Sequence, residues 1–250
     1  MISDQTKPIV DFFIVGAMKS GTSSLRDMLR QHPNVDLYRG EIHYFDKLNL
    51  FEKGGEWYHE HFDFNCGPGV LHGDKSPSYS LDPDTPARMY SYNPEARIIW
   101  IFRDPVKRAV SNFHHAKKRN QDAMSIEESL SQAEELAAKN SPAAYLYRSQ
   151  YERHLAAFTE YFPEDRQYIL IFEELLANPA AEVGKLVSWL GLEAGTELKL
   201  PHSNEGKPVI KRKFPVHEDT MKQLGDLLVP TLSAVEGRLG RKVEAWRKTL

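Results

Sequence analysis

The sequence predicts an α/β fold of three layers, a central parallel sheet flanked by helices, and three observations predict it. The apolar run at residues 9–15 flows into Gly16-Ala17-Met18-Lys19-Ser20-Gly21-Thr22-Ser23-Ser24, which reads as a strand, a glycine turn and a helix start. Two later runs, Arg97-Ile98-Ile99-Trp100-Ile101-Phe102 and Tyr168-Ile169-Leu170-Ile171-Phe172, are continuously apolar and of strand length. Their lack of alternation implies burial on both faces, as in a parallel sheet. A helical stretch follows each of the three, which implies βαβ units with right-handed crossovers. Ligands bind such sheets at the carboxyl ends of the strands.

The other elements follow in order. Residues 22–31 read as the first helix and 36–46 as an extended segment. Residues 71–73 form a short strand before a loop at 74–80. Asp82 as N-cap and Pro83 at the first helical position predict a helix over 83–92. Asp104-Pro105 opens a polar helix running to about Arg119, and Ser125-Ile126-Glu127-Glu128 is a capping-box pattern. An amphipathic helix spans 143–162, Asn178-Pro179 opens another that ends near Gly191, and the last covers 219–239. No repeat, low-complexity tract or linker divides the 250 residues, so a single domain over 1–250 is expected.

Hydrophobic residues make up 41% of the chain, enough for a sizeable core, and the formal charge is −3. That balance argues against non-specific nucleic-acid binding, which needs a basic surface. Cys66 is the one cysteine, which excludes an intramolecular disulfide and a zinc cluster built on several cysteines. The chain has no apolar run of about 18 residues and no basic-then-apolar N-terminal pattern. A cytoplasmic protein without a membrane span is therefore expected.

A strand, a Gly/Ser/Thr turn carrying a lysine, and a helix N-terminus together make an anion cradle. Backbone N–H groups point at the anion, the helix dipole favours negative charge, and Lys19 adds a full positive charge. Lys19, Ser20, Gly21, Thr22 and Ser23 are thus candidates to hold a phosphate-bearing ligand. The usual nucleoside-triphosphate loop is G-x-x-x-x-G-K-[ST]. Here the lysine precedes the second glycine, and no clear acidic magnesium ligand follows a later strand. The strand at 97–102 ends instead on Arg103-Asp104-Pro105-x-x-Arg108-x-x-Ser111. Arg103 can fork onto a phosphate, and Ser111, two turns into the next helix, can donate to the same group. The bland alternative makes Arg103 and Asp104 a local ion pair and Ser111 a solvated helix residue.

With both motifs in this order, the chain resembles the sulfotransferases. Segment 16–23 resembles their 5′-phosphosulfate loop, and Arg103 with Ser111 resembles their 3′-phosphate site. The resemblance implies a fold akin to the P-loop nucleotide-binding proteins. It also implies 3′-phosphoadenosine 5′-phosphosulfate (PAPS) as sulfuryl donor, PAP as product, and no metal. Lys19 would then stabilise charge on the leaving oxygen.

Two further segments resemble the heparan-sulfate branch of that family. Arg39-Gly40-Glu41-Ile42-His43-Tyr44-Phe45-Asp46 is similar to its K-E-[VI]-H-[FY]-F-D segment, and Gly73-Asp74-Lys75-Ser76-Pro77-Ser78-Tyr79 to its E-K-[TS]-P-x-Y segment. The resemblance implies Glu41 as general base and Lys75 as a contact to the sulfuryl group. An extended 39–46 would set Glu41, His43 and Phe45 on one face. Either Glu41 or His43 could then take the acceptor proton; the motif favours Glu41. His43 could equally serve as a packed residue orienting Glu41 or Lys75. Lys75 has a surface role as its alternative, and Asp46 either pairs with Lys75 or caps a turn. Tyr44, Phe45, Trp57, Tyr58 and Tyr79 line an acceptor pocket or belong to the core.

Gly40 stands where many relatives have lysine, and neither a membrane anchor nor a disulfide is evident. A heparan acceptor therefore does not carry over. Arg212 and Lys213 loosely resemble the family's S-K-G-R-K-Y-P loop, which closes over the nucleotide; a cation run is otherwise a solvated face. The expected activity is in-line transfer of a sulfuryl group from PAPS to a hydroxyl or amine of a glycan or small molecule. A nucleotide-dependent phosphotransferase and a non-catalytic nucleotide-binding module are the rivals.

Overall fold

The computed structural model describes residues 8–119, 124–193, 198–200, 214–247 and 249. Five strands, β1 (Phe12–Gly16), β2 (Val35–Leu37), β3 (Leu71–Lys75), β4 (Arg97–Phe102) and β5 (Gln167–Ile171), form one sheet in the order β2-β3-β1-β4-β5. Every pair is parallel. The continuous apolar runs are buried on both faces. Phe13 and Val15 of β1 join Ile98, Trp100 and Phe102 of β4 in one core. Phe12, Ile14, Ile99 and Ile101 enter the other. Each such side chain contributes roughly 1.5–3 kcal/mol on burial, so β1 and β4 anchor the sheet from their own sequence.

Helices cover both faces. α1 (Thr22–Leu29) brings Leu25 and Met28, and α10 (Pro179–Trp189) brings Val183 and Leu186, to the second core. Met89 of α4 (Thr85–Tyr92), Phe158 of α8 (Tyr151–Thr159) and Val235 of the long helix Glu218–Leu239 pack on the first. The result is the expected three-layer α/β architecture. α2 (Leu48–Phe51) and α3 (Gly54–His59) follow β2, and α9 (Phe172–Ala177) follows β5 directly. α5 (Pro105–Lys118) starts at an Asp104 cap that accepts from Lys107 N–H at 3.0 Å. The Ser125 capping box opens α6 (Ile126–Ser131), which α7 (Ala133–Ala138) follows. α5, α6 and part of the long helix share a third apolar cluster.

Three expectations are corrected. Residues 39–46 are a series of bends and turns, not an extended segment. The helix at 143–162 is shorter: a 3₁₀ turn at Tyr147–Ser149 precedes α8. There the Tyr145 carbonyl accepts from Arg108 Nη2 at 2.7 Å and from Ser149 Oγ at 3.1 Å, bonds that serve the packing of α5. The helix placed at 83–92 starts at Thr85, after Asp84, with Pro86 in its first turn. Among the described residues no helix is long and apolar enough to cross a membrane, and no group of three or more His, Cys, Asp or Glu could hold a metal ion.

Candidate active site

β1 lies in the middle of the sheet, so its loop opens between the ends of β3 and β4. Past Gly16 the chain turns: Ala17 N–H donates to the Ile101 carbonyl at 2.9 Å, and Ser20 N–H to the Ala17 carbonyl at 3.2 Å. Lys19 adopts a left-handed φ of 74° and Gly21 one of 91°. A Cβ at Gly21 would sit 2.6 Å from the Phe172 ring, so glycine alone fits there. No side chain caps α1, which leaves its first N–H groups for a ligand.

Arg103 leaves the end of β4. Its Nη1 donates to the Lys19 carbonyl over 3.5 Å, and its guanidinium lies over the Phe172 ring at 5.3 Å. The Tyr151 hydroxyl donates to the Arg103 carbonyl at 2.8 Å. Arg103 Nε is buried without a hydrogen-bond partner among the described residues. The Tyr151 hydroxyl donates its proton to Arg103, and its oxygen, beside Ser20, accepts from the Ser20 hydroxyl. An orphaned buried donor such as Arg103 Nε calls for an acceptor that the described residues do not supply. On α5, Nδ1 of His115 lies 3.3 Å from Lys19 Nζ. Ser111 is one turn earlier on the same face of α5, the face that meets the Lys19 loop.

The electrostatics are one-sided. Burial, followed by the charges of Arg103, Arg119, Arg108 and Lys118, pushes the Lys19 ammonium below its ordinary range. Burial, then Lys19, Arg119 and Lys118, holds His115 down at about 4. Arg108 is fully buried and donates to Ser149 Oγ, Asn112 Oδ1 and the Tyr145 carbonyl, none of them charged. It ties α5 to the 145–149 segment. The residues present therefore fit a ligand with several negative charges: excess cations, an unpaired donor and an uncapped helix start converge on one loop.

Across β1, the end of β3 carries a balanced network. Lys75 is 1% exposed, and its Nζ lies 2.5 Å from Glu41 Oε1. His43 Nε2 is 3.4 Å from Glu41 Oε2, and His43 Nδ1 is 3.2 Å from Asp46 Oδ2. The Ser78 hydroxyl touches His43 Nδ1 and donates to Asp46 Oδ2 at 2.5 Å. Charges thus alternate from Lys75 through Glu41 and His43 to Asp46. Glu41 is raised by burial, but hydrogen bonds from His43 and Lys75, with their charges, prevail and hold it at about 2. Hydrogen bonds to Asp46 and Glu41 outweigh burial at His43 and raise it to about 9.

Asp74 explains why this loop holds its shape. It is fully buried, and burial raises it to about 6 against the hydrogen bonds it receives. Tyr79 and Tyr58 donate to its Oδ2 at 2.5 and 3.1 Å, and Ser76 to its Oδ1 at 3.2 Å. Ser76 Oγ accepts the Ile42 and His43 N–H groups, both at 3.1 Å, and Tyr79 Oη accepts the Tyr44 N–H at 3.1 Å. The backbone at 42–44 hangs on two hydroxyls anchored to Asp74. His43 takes a left-handed φ of 57°, a conformation in which histidine is enriched among non-glycine residues. That turn brings Glu41 and His43 together.

The structure thus unites Glu41, His43 and Lys75, and separately Lys19, Ser20, Gly21 and Arg103. Thr22 and Ser23 open α1. Arg212 and Lys213 lie outside the described residues. Arg103 does not pair with Asp104, which caps α5 and pairs with Lys107 at 3.1 Å. Asp46 pairs with His43, not Lys75. Tyr44, Phe45, Tyr58 and Tyr79 belong to the core, so they do not line a pocket. Sequence reasoning missed Asp74, Ser76 and His115. The i, i+4 spacing from Ser111 was the available signal for His115.

Comparison with known proteins follows this geometry. Residues 10–206 match the family model described as the sulfotransferase domain. Human heparan sulfate glucosamine 3-O-sulfotransferase 3A1 is 29% identical over 204 residues, covering 77% of this chain and 47% of that protein. Human heparan sulfate glucosamine 3-O-sulfotransferase 6 is 30% identical over 205 residues, covering 80% and 58%. The chain spans about half the length of the curated relatives it matches. Among solved structures, a sulfotransferase from Alicyclobacillus acidocaldarius is 26% identical with a TM-score of 0.78, covering 96% of this chain and 99% of that one. Mouse sulfotransferase SULT7A1 complexed with PAP shares the fold at a TM-score of 0.56 and 13% identity, covering 96% and 87%. The matched span contains Lys19, Glu41, Lys75, Arg103 and Ser111, and the chain belongs to the sulfotransferase domain family.

Proposed function

We propose that this chain uses PAPS to sulfate a hydroxyl or amine of a glycan or small molecule, residues 1–250 acting as one catalytic domain. The observation that carries this reading is the pairing of two sites across β1: a cation-rich loop with an orphaned donor, and a carboxylate held between two cations. PAPS, when bound, supplies the sulfuryl group and a good leaving group. The N–H groups of the 19–23 loop hold its 5′ end, and Arg103 with Ser111 holds its 3′-phosphate. Arg212 and Lys213 are assigned to cover the nucleotide.

Lys19 stabilises charge developing on the leaving oxygen, and Lys75 that on the equatorial sulfuryl oxygens. Glu41 takes the acceptor proton. His43, raised to about 9, is an imidazolium at neutral pH and has no free nitrogen to accept a proton. Its role is to orient Glu41 through Nε2 while Asp46 holds Nδ1. Glu41 is a weak base while both cations lean on it; as Lys75 turns to the sulfuryl oxygens, Glu41 regains basicity. The relatives named for heparan sulfate make a glucosamine-bearing glycan the first acceptor to try.

The test is incubation with ³⁵S-labelled PAPS and a panel of desulfated heparan sulfate, phenols, amines and lipid alcohols. Label transfer to at least one acceptor, lost in Glu41→Gln, is the expected result. Binding of ATP–Mg²⁺ in preference to PAP would contradict the reading.

A further inference from the structure

His115 stands outside every role assigned above, yet it is the side chain that touches the motif lysine. Its Nδ1 lies 3.3 Å from Lys19 Nζ. An ammonium only donates, so the ring must accept at Nδ1 and carry its proton on Nε2. Lys19 leaves the turn on a left-handed backbone, which sets the root of the side chain but not its tip. The groups that act on His115 are Lys19 from the loop and Lys118 and Arg119 from its own helix, all cations. A neutral ring among them attracts the ammonium instead of repelling it.

We propose that His115 is a positioning residue that fixes the Lys19 ammonium, through Nδ1, at the rim of the nucleotide site. The inference rests on the PAPS reading above and adds a residue to it. Without the ring, Lys19 is left to the repulsion of Arg103, Arg119, Arg108 and Lys118 and swings away from the leaving oxygen. The effect falls on the rate of transfer, not on nucleotide binding, because the loop N–H groups and Arg103 remain in place. The amide oxygen of asparagine sits three bonds from Cα, as Nδ1 does, and can accept the same hydrogen bond, so asparagine should restore what alanine loses. Lysine would reproduce a permanently charged ring and repel Lys19.

The test measures release of PAP from PAPS, with water as the acceptor, alongside calorimetric binding of PAP. His115→Ala should lower kcat on the order of tenfold while KM for PAPS and Kd for PAP move less than about threefold. His115→Asn should recover most of the rate, and His115→Lys should fall below alanine. In the unsubstituted protein, ¹⁵N-histidine spectra should show His115 protonated on Nε2 only, with an Nδ1 resonance that shifts in Lys19→Met. Equal rates for wild type and His115→Ala, no rescue by asparagine, or a proton on Nδ1 would each overturn the proposal. Failure of the wild-type protein to bind PAP would instead remove the PAPS reading beneath it.

Discussion

The two sides of β1 solve opposite electrostatic problems. On the β3 side, Lys75, Glu41, His43 and Asp46 alternate in sign, and each charge finds its partner within the protein. On the β4 side, Lys19, Arg103 and Arg108 stand together with an orphaned donor among them. The balanced side is paired in charge before any ligand arrives, which suits the proton transfer proposed for it. The unbalanced side is held under mutual repulsion, which a polyanion relieves on binding. The difference teaches that preorganisation here means charge pairing on one side and an excess of cations on the other.

Substitutions that respect this division should separate rate from affinity. The largest effect is expected from Glu41→Gln, which should lower turnover by about 10²–10⁴-fold, the range for loss of a general base. Its affinity for PAP should be unchanged, as calorimetry would show. Lys19→Ala should cost on the order of 10²-fold in kcat at saturating PAPS, and its PAP affinity should also become less sensitive to salt. A wild-type rate in Lys19→Ala would erase the distinction between the two sides.

A smaller effect sharpens the role of the scaffold. Ser76→Ala removes the acceptor for two backbone N–H groups and a donor to Asp74. Unfolding by urea should show a loss of about 1–3 kcal/mol, the cost of leaving buried groups unsatisfied, together with slower turnover. Pairing intact Ser76→Ala stability with lost turnover would shift its role from the fold to the chemistry.

The smallest effects are those of pH, and the two histidines should differ in sign. His43 is raised to about 9 by its partners, so its stabilisation is full below its ordinary 6.5 and lost as pH rises through 9. Glu41, held at about 2, contributes above its ordinary 4.5, and that contribution is lost as pH falls through 2. His115 is depressed to about 4, so the unfolded chain takes up a proton there first, and stability falls between pH 6.5 and 4. Melting temperatures against pH should therefore show an acid loss that His115→Gln flattens and an alkaline loss that His43→Asn flattens.

Much of this was legible in the residues. Residues 97–102 announced β4 because an uninterrupted apolar run has no alternative but double-sided burial. The glycines around Lys19 announced a turn because Gly21 must adopt a φ that side chains resist. The 39–46 segment misled because alternation assumes ladder partners, whereas Ser76 and Tyr79 hydroxyls take its N–H groups. Asp74 was invisible for a related reason: nothing local distinguishes a buried anchor from a loop aspartate. The break in the 143–162 helix depends on Arg108, more than thirty residues earlier in the chain, and long-range hydrogen bonds leave no mark on periodicity.

The most direct test of the central claim compares PAP with AMP, which lacks the 3′-phosphate, by calorimetry on wild type and Arg103→Ala. Recognition of that phosphate at the end of β4 predicts a preference for PAP on the order of 10²-fold in wild type, about 2.7 kcal/mol, which collapses in Arg103→Ala. An Arg103→Ala protein that still favours PAP over AMP to the same degree would contradict it.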